Sequence, residues 1–373
     1  MRTRAIALAI ALGGIALAAD TTAKLPYVYA KWKQFTVADG LPNDHIFSVK
    51  VDGPRVWIGT ENGLALLDKR TGKIKSWTEK DGLPWRAVTA IDIDQKTGDV
   101  WLGLFGGGLA RFSGGRFDHW HQLNSGLVND VVYGLAVEND NIWVATTAGA
   151  SRLNTKTNEW TIFTEKNAPM EEIWNYAASF NGKNKVYLAV WGSGILEYNL
   201  ATGGWKDYLD PDGEMEIDLY RDDGIPHVIT TAAQEADGVL WISSYFGAGR
   251  YDGRSWRAFY NQDSGLPNDF LNNLKARSAD EAWFCSDKGV GVITDFATNT
   301  WVAYTHDAKG KGGKAVISRD KEVLATVEMP VGIPHNYIIA ADIDGNDVWI
   351  GTAKGLGWGI GEGYYPGLKE VSK

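Results

Sequence analysis

A single cysteine, Cys285, in a chain of 373 residues excludes any intramolecular disulfide. It stands where other segments of the chain carry Gly59, Gly103 or Ala145, so it reads as a small packed residue and not as a reactive thiol. No apolar run reaches the roughly 20 residues that a membrane-spanning helix needs. The nearest approach lies in residues 1–19, where Arg2 and Arg4 precede an Ala/Ile/Leu run and a small-x-small site at Ala16-Leu17-Ala18. That is the pattern of a secretory signal peptide, and it argues against stable membrane insertion. No cysteine follows the site, which argues against a lipoprotein anchor. Basic charge is also short: beyond residue 19, 35 basic residues face 46 acidic ones, a net of −11 that disfavours nucleic acid as a partner. Nucleophile motifs, glycine-rich phosphate loops and haem-attachment pairs are missing too, so no cofactor is expected.

What the chain has in abundance is glycine, 44 residues, and tryptophan, 17 residues. Both fall into a repeat. The phrase Val56-Trp57-Ile58-Gly59-Thr60 returns around Trp101, Trp143, Tyr187, Trp241, Trp283 and Trp349, which makes seven copies. Ahead of most copies stands a second phrase, Asp39-Gly40-Leu41-Pro42-Asn43-Asp44 in the first and Ser264-Gly265-Leu266-Pro267-Asn268-Asp269 in the sixth. The aromatic anchors are spaced by 44, 42, 44, 54, 42 and 66 residues, a basic period that fits four short strands, the length of one propeller blade. Alternating runs such as Phe47-Ser48-Val49-Lys50-Val51 favour strand over helix.

With these phrases the sequence resembles the two-component regulator propeller repeat, whose unit runs Trp, aromatic, "DGLP", an apolar strand, "VWIGT", glycine and a last strand. The segments Trp32 to Trp77 and Trp77 to Trp120 match it well, while Asn167-Ala168-Pro169 and the long fifth and seventh units depart from it. The resemblance implies an all-β fold, a seven-bladed β-propeller of four-stranded antiparallel blades. In that family the repeats are commonly an extracytoplasmic sensor region fused to a histidine kinase. No kinase fits in this sequence, so signalling would belong to a separate membrane protein. Because Trp32-Lys33-Gln34-Phe35 precedes the first apolar strand and the chain ends soon after Trp358, residues 32–36 are expected to close the last blade as its fourth strand. The expected organisation is a leader at 1–19, a linker at 20–28, a propeller over 29–365 and a tail at 366–373. Insertions fall at 209–223 and 306–331. The first is acidic, and Asp210-Pro211-Asp212-Gly213-Glu214 lacks the closing glutamate of a calcium loop; the second is expected to form a hairpin on the last blade.

Alternating strand direction puts the "GLP" loops and the loops after "WIGT" on one face, around the channel mouth. The recurring Asn-Asp pairs there read as turn scaffold. Residues that vary between repeats are the candidate ligand-binding set: His45, Trp85, Arg86, Phe105, Glu171, Glu172, Trp174, Trp191, His227, Tyr245, Phe246 and His335. Aromatic platforms beside amides and carboxylates suit a small polar ligand with an apolar face, such as a saccharide, or a segment of a partner protein. Two other readings compete. His227 and His335, with His45 and Glu171 or Glu172, would have to converge within ~2.1 Å of one ion to serve a metal-dependent lyase or hydrolase, yet their blades lie roughly 100° apart. A non-catalytic scaffold would instead use the blade edges.

Overall fold

The computed structural model describes residues 25–209 and 224–362. The leader, the acidic excursion at 210–223 and the tail lie outside the described residues. Seven antiparallel sheets follow one another around an axis. Blade 1 is built from Ile46–Asp52, Arg55–Thr60, Gly63–Asp68 and Ile74–Trp77. The inner strands of neighbouring blades pack against each other in order, and the seventh packs against the first, so the ring is closed at its centre.

Among the described residues, six of the blades carry a stacked aromatic pair between their second and fourth strands. Trp57 on the second strand stacks on Trp77 at the end of the fourth (5.9 Å between centroids), as do Trp101 on Trp120 (5.3 Å) and Trp143 on Phe163 (5.2 Å). Such pairs contribute about 0.5–1.5 kcal/mol beyond their burial. Small residues then allow the blades to approach. A Cβ on Gly103 would meet Val132 of the next inner strand at 2.7 Å, and one on Gly59 would collide with the Val88 carbonyl. Cys285 fills the equivalent place in blade 6, fully buried, and burial pushes its thiol pKa up.

The last blade comprises Ile338–Asp344, Asp347–Thr352, Gly355–Gly359 and, as its fourth strand, Trp32–Phe35 from the other end of the chain. Register runs from Trp32 opposite Gly359 to Phe35 opposite Leu356. Phe35 stacks on Trp349 (6.4 Å), so it occupies the place that Trp77 holds in blade 1. The segment before it is also anchored: the Tyr29 amide donates to the Tyr304 hydroxyl at 3.0 Å, and the Trp32 indole donates to the Tyr29 carbonyl at 2.7 Å.

One expectation is corrected. The hairpin of Gly313–Arg319 and Glu322–Met329 extends blade 6, which thereby has six strands, and does not project from the last blade. The reason is connection length. Leaving Thr300–His306, the chain turns at once and pairs on that strand's free edge before it reaches the Gly332-Ile333-Pro334 phrase that opens blade 7. Its tip, Asp320-Lys321, has both residues in the left-handed region (φ 45° and 70°), the twist-matched form of a two-residue hairpin.

Deleting residues 29–36 should destabilise the whole ring, because it opens an edge and empties the cluster around Tyr29 and Trp32. The milder Trp32→Ala change should cost about 3–5 kcal/mol. Thermal unfolding checks both, and an unchanged melting temperature after the deletion would remove the clasp from this account.

Candidate functional site

The loops at the channel mouth are shaped by their own polar side chains. Asp44, Asp130 and Asp269 accept bonds from the amides of Val37 (2.7 Å), Gln122 (2.8 Å) and Asn261 (2.5 Å), and so brace each interblade turn. One residue earlier, Asn43, Asn129 and Asn268 accept from the amide two positions on. His227 and His335 occupy this asparagine register and do the same work: their Nδ1 atoms accept from the Ile229 and Tyr337 amides, each at 3.0 Å. The Asn-Asp pairs are thus scaffold, as their recurrence suggests, and two of the histidines belong with them.

Every inner strand carries a bulge at the same place, just inside the mouth. A bulge sets two residues against one and re-aims the extra side chain. The residues so placed are Phe47, Thr89, Tyr133, Tyr176, Thr231, Asn272 and Ile339, and all seven line a central cavity of about 790 Å³. Three of them stitch the ring: Thr89, Thr231 and Asn272 donate to the Val132, Leu271 and Ile338 carbonyls of the following blade at 2.6, 2.9 and 2.8 Å. Tyr133 and Tyr176 instead join an aromatic wall.

That wall is continuous from blade 2 to blade 6. Phe105 meets Tyr133 edge-on (5.5 Å), Tyr133 meets Tyr176 (5.2 Å), and Trp174, Tyr176 and Trp191 stack on one another within 5.7–6.1 Å. Tyr245 closes on Trp191 at 5.7 Å and stacks on Phe270 at 3.9 Å, while the Tyr176 and Tyr245 hydroxyls lie 3.2 Å apart. Burial and this hydroxyl contact raise the Tyr176 pKa. Trp174 and Phe105 remain 37% and 44% exposed, leaving apolar surface open at the mouth.

The opposite arc sets hydrogen-bonding groups beside Phe47 and Ile339. His45 faces Glu61 (Nδ1 to Oε2, 3.6 Å), its Nε2 is buried without a partner, and Asn272 donates to Asp287 at 2.9 Å. Three residues deeper than the bulges runs a belt. Lys50 pairs with Asp92 and Lys275 with Asp342, both at 2.7 Å. Asp342 and Asp92 also accept the Val51 and Val137 amides of the next blades, each at 2.8 Å. Burial pulls the Lys50 pKa down, but Asp92 and Asp342 more than offset it and hold the ammonium above its usual range. Lys50 keeps 31% of its side-chain surface accessible although it is enclosed by the ring, which follows from its facing an open lumen. The belt is neutral overall and lies on the same side as His45 and Glu61.

The candidate residues divide by position. His45, Arg86, Phe105 and Tyr245 line the cavity, and Trp174 and Trp191 build the wall beside it. Trp85 packs outward across Gly107 and donates to the Phe105 carbonyl at 2.6 Å, making no ring contact with the wall. Glu171 and Glu172 are exposed, their amides held by the Ser193 hydroxyl at 2.8 and 2.9 Å. His227 is only 2% exposed and lies under Phe246 (4.1 Å), so the sequence-level metal arrangement does not assemble around it. Among the described residues no three His, Cys, Asp or Glu side chains form a metal-holding group. Tyr133, Tyr176, Phe47 and Asn272 line the cavity from the inner strands and not from the loops; in the sequence their signal is a column that varies between repeats at a strand position next to the axis.

No family model matches the chain, and no curated protein matches it in sequence. Solved structures share its fold. The extracellular domain of BT4673 from B. thetaiotaomicron, assigned to a hybrid two component system, superposes with a TM-score of 0.65 at 15% identity, covering 89% of this chain and 40% of that one. The extracellular domain of BT3049 from the same organism gives 0.56 at 13% identity, over 92% and 54%. Virginiamycin B lyase from Staphylococcus aureus gives 0.60 at 15% identity, over 88% and 98%. The chain spans less than two thirds of either B. thetaiotaomicron domain. At these identities the likeness establishes the propeller and nothing narrower. Among the described residues, no helix is long and apolar enough to cross a membrane.

The turn histidines give a pH dependence. Burial lowers the His227 pKa, and burial with Lys354 and His306 lowers that of His335, in keeping with Nδ1 atoms that must stay unprotonated to accept. Between these lowered values and the ordinary 6.5 the unfolded chain binds more protons than the folded one. Stability should therefore be full above about pH 6.5 and fall as pH drops through that window. Melting temperatures at pH 7.5 and 5.5 should fall less on acidification for His227→Asn than for wild type, since asparagine makes the same turn bond without titrating. Equal slopes would contradict the assignment.

Proposed function

We propose that this chain is an exported binding propeller of the two-component regulator type, which holds a small polar ligand with an apolar face at its channel mouth. The observation that carries the reading is the division of that mouth into an unbroken aromatic wall on blades 2–6 and a hydrogen-bonding arc at His45, Glu61 and Asn272. A saccharide fits both halves, with its C–H face on the rings and its hydroxyl edge on the arc. A cavity of about 790 Å³ is in the range of small-molecule sites. Export is supported by the leader pattern at residues 1–19 and by the extracellular setting of the two B. thetaiotaomicron domains. A segment of a partner protein is the other occupant of this chemistry, and a separate membrane protein would carry any signal onward.

The test is a glycan array and a periplasmic extract screened in parallel with wild-type and Trp191→Ala protein. Loss of the indole should weaken binding by about 1–3 kcal/mol while the melting temperature stays close to wild type, because Trp57, Trp101 and their partners hold the blades. Binding kept by Trp191→Ala but lost on changing Trp120 or Trp160 would move the site from the channel to the blade edges.

A further inference from the structure

We propose that the ligand at the channel mouth carries a carboxylate, as an acidic saccharide does, and that Arg86 selects it. The inference rests on the binding reading above and narrows its ligand class.

The first observation is a substitution in the repeat. Arg86 stands in the register of Asp44, Asp130 and Asp269, whose carboxylates brace their turns by accepting the Val37, Gln122 and Asn261 amides. An arginine has no acceptor and cannot make that bond. Blade 2 thus gives up a structural brace and places a guanidinium at the mouth instead.

The second is charge accounting in the lumen. Of the three basic side chains lining the cavity among the described residues, Lys50 and Lys275 are each paired with an aspartate at 2.7 Å. Arg86 makes no such pair, and it is exposed. Of the acids that line the cavity, Glu61 lies 3.6 Å from the His45 Nδ1 and Glu235 accepts from the Tyr187 hydroxyl at 2.6 Å. Among the described residues the lumen therefore offers one lysine or arginine without an ion-pair partner, in the planar fork that matches a carboxylate with two parallel bonds.

Position supplies the third. The Phe105 amide donates to the Ala87 carbonyl at 3.0 Å, which fixes the residue beside Arg86 against the end of the aromatic wall. A sugar ring resting on Phe105 and Tyr133 would carry a substituent on its edge toward the guanidinium. Arg86 is on this reading a specificity residue, and the wall supplies the affinity that acidic and neutral rings share.

Calorimetric titration of wild type, Arg86→Gln and Arg86→Lys with an oligogalacturonate and with its methyl-esterified counterpart tests this, because the pair differs in charge and little else. Wild type should bind the acid at least about tenfold more tightly than the ester. Arg86→Gln should abolish that preference by weakening binding of the acid more than that of the ester, and Arg86→Lys should restore part of it. Equal binding of acid and ester by wild type, lost in Trp191→Ala, would overturn the carboxylate inference while the binding reading stood. Binding of neither would also overturn it, and the array with Trp191→Ala protein would then decide the broader reading separately.

Discussion

Close approach of neighbouring blades is the constraint on which the structure depends. The third residue of each "WIGT" phrase lies where the first residue of the next inner strand must pack, and only glycine, alanine, serine or cysteine occurs there: Gly59, Gly103, Ala145, Ala189, Ser243, Cys285 and Gly351. A Cβ at Gly351 would already meet Ile46 at 2.8 Å, across the seam where the last blade meets the first. Seven such contacts, repeated around an axis, turn short sheets that would each be marginal alone into one closed core. The seam is held in three places: at the axis by Asp342 on the Val51 amide, between the sheets by Ile46 against Gly351, and at the rim by Trp32–Phe35.

Closing the ring leaves the inner strands with side chains that have no neighbouring sheet to pack on, and the bulges assign those side chains two jobs. Where the bulged residue is Thr89, Thr231 or Asn272, it bonds the next blade and helps the scaffold. Where it is Tyr133 or Tyr176, no bond to a backbone carbonyl of the next blade is made among the described residues; the ring faces the lumen as part of the wall, and the Tyr176 hydroxyl meets that of Tyr245 instead. The same division recurs in the loops, between the bracing aspartates and Arg86.

The fold was legible in the sequence because its determinants repeat. Trp57 and its six counterparts mark the second strand of every blade, and the displaced Trp32-Lys33-Gln34-Phe35 phrase announces the clasp. The hairpin at 313–329 was assigned to the wrong blade because an insertion between two repeats has no periodic signal to say which edge it joins. In the site, Trp174, Trp191 and Tyr245 stood out as aromatics that do not recur, and the structure brings them together. His227 stood out as a histidine that, with His335, could face a metal at the mouth, but it is a buried turn acceptor, since imidazole Nδ1 can replace an asparagine oxygen and a sequence does not distinguish the two uses. Tyr133 and Tyr176 were hidden because a bulge shifts the alternation by one residue, so the face that a side chain takes cannot be read from its parity alone.

Hydrogen exchange of the protein with and without a glycan identified on the array tests the central claim most directly, since it reports which backbone segments a ligand covers without altering a residue. The account predicts protection at the channel mouth, in residues 131–134, 172–177, 191–193 and 245–247, with the outer strands of the same blades unchanged. Protection confined to outer strands such as Glu159–Phe163 or Glu322–Met329 would contradict it and locate recognition on the rim of the disc.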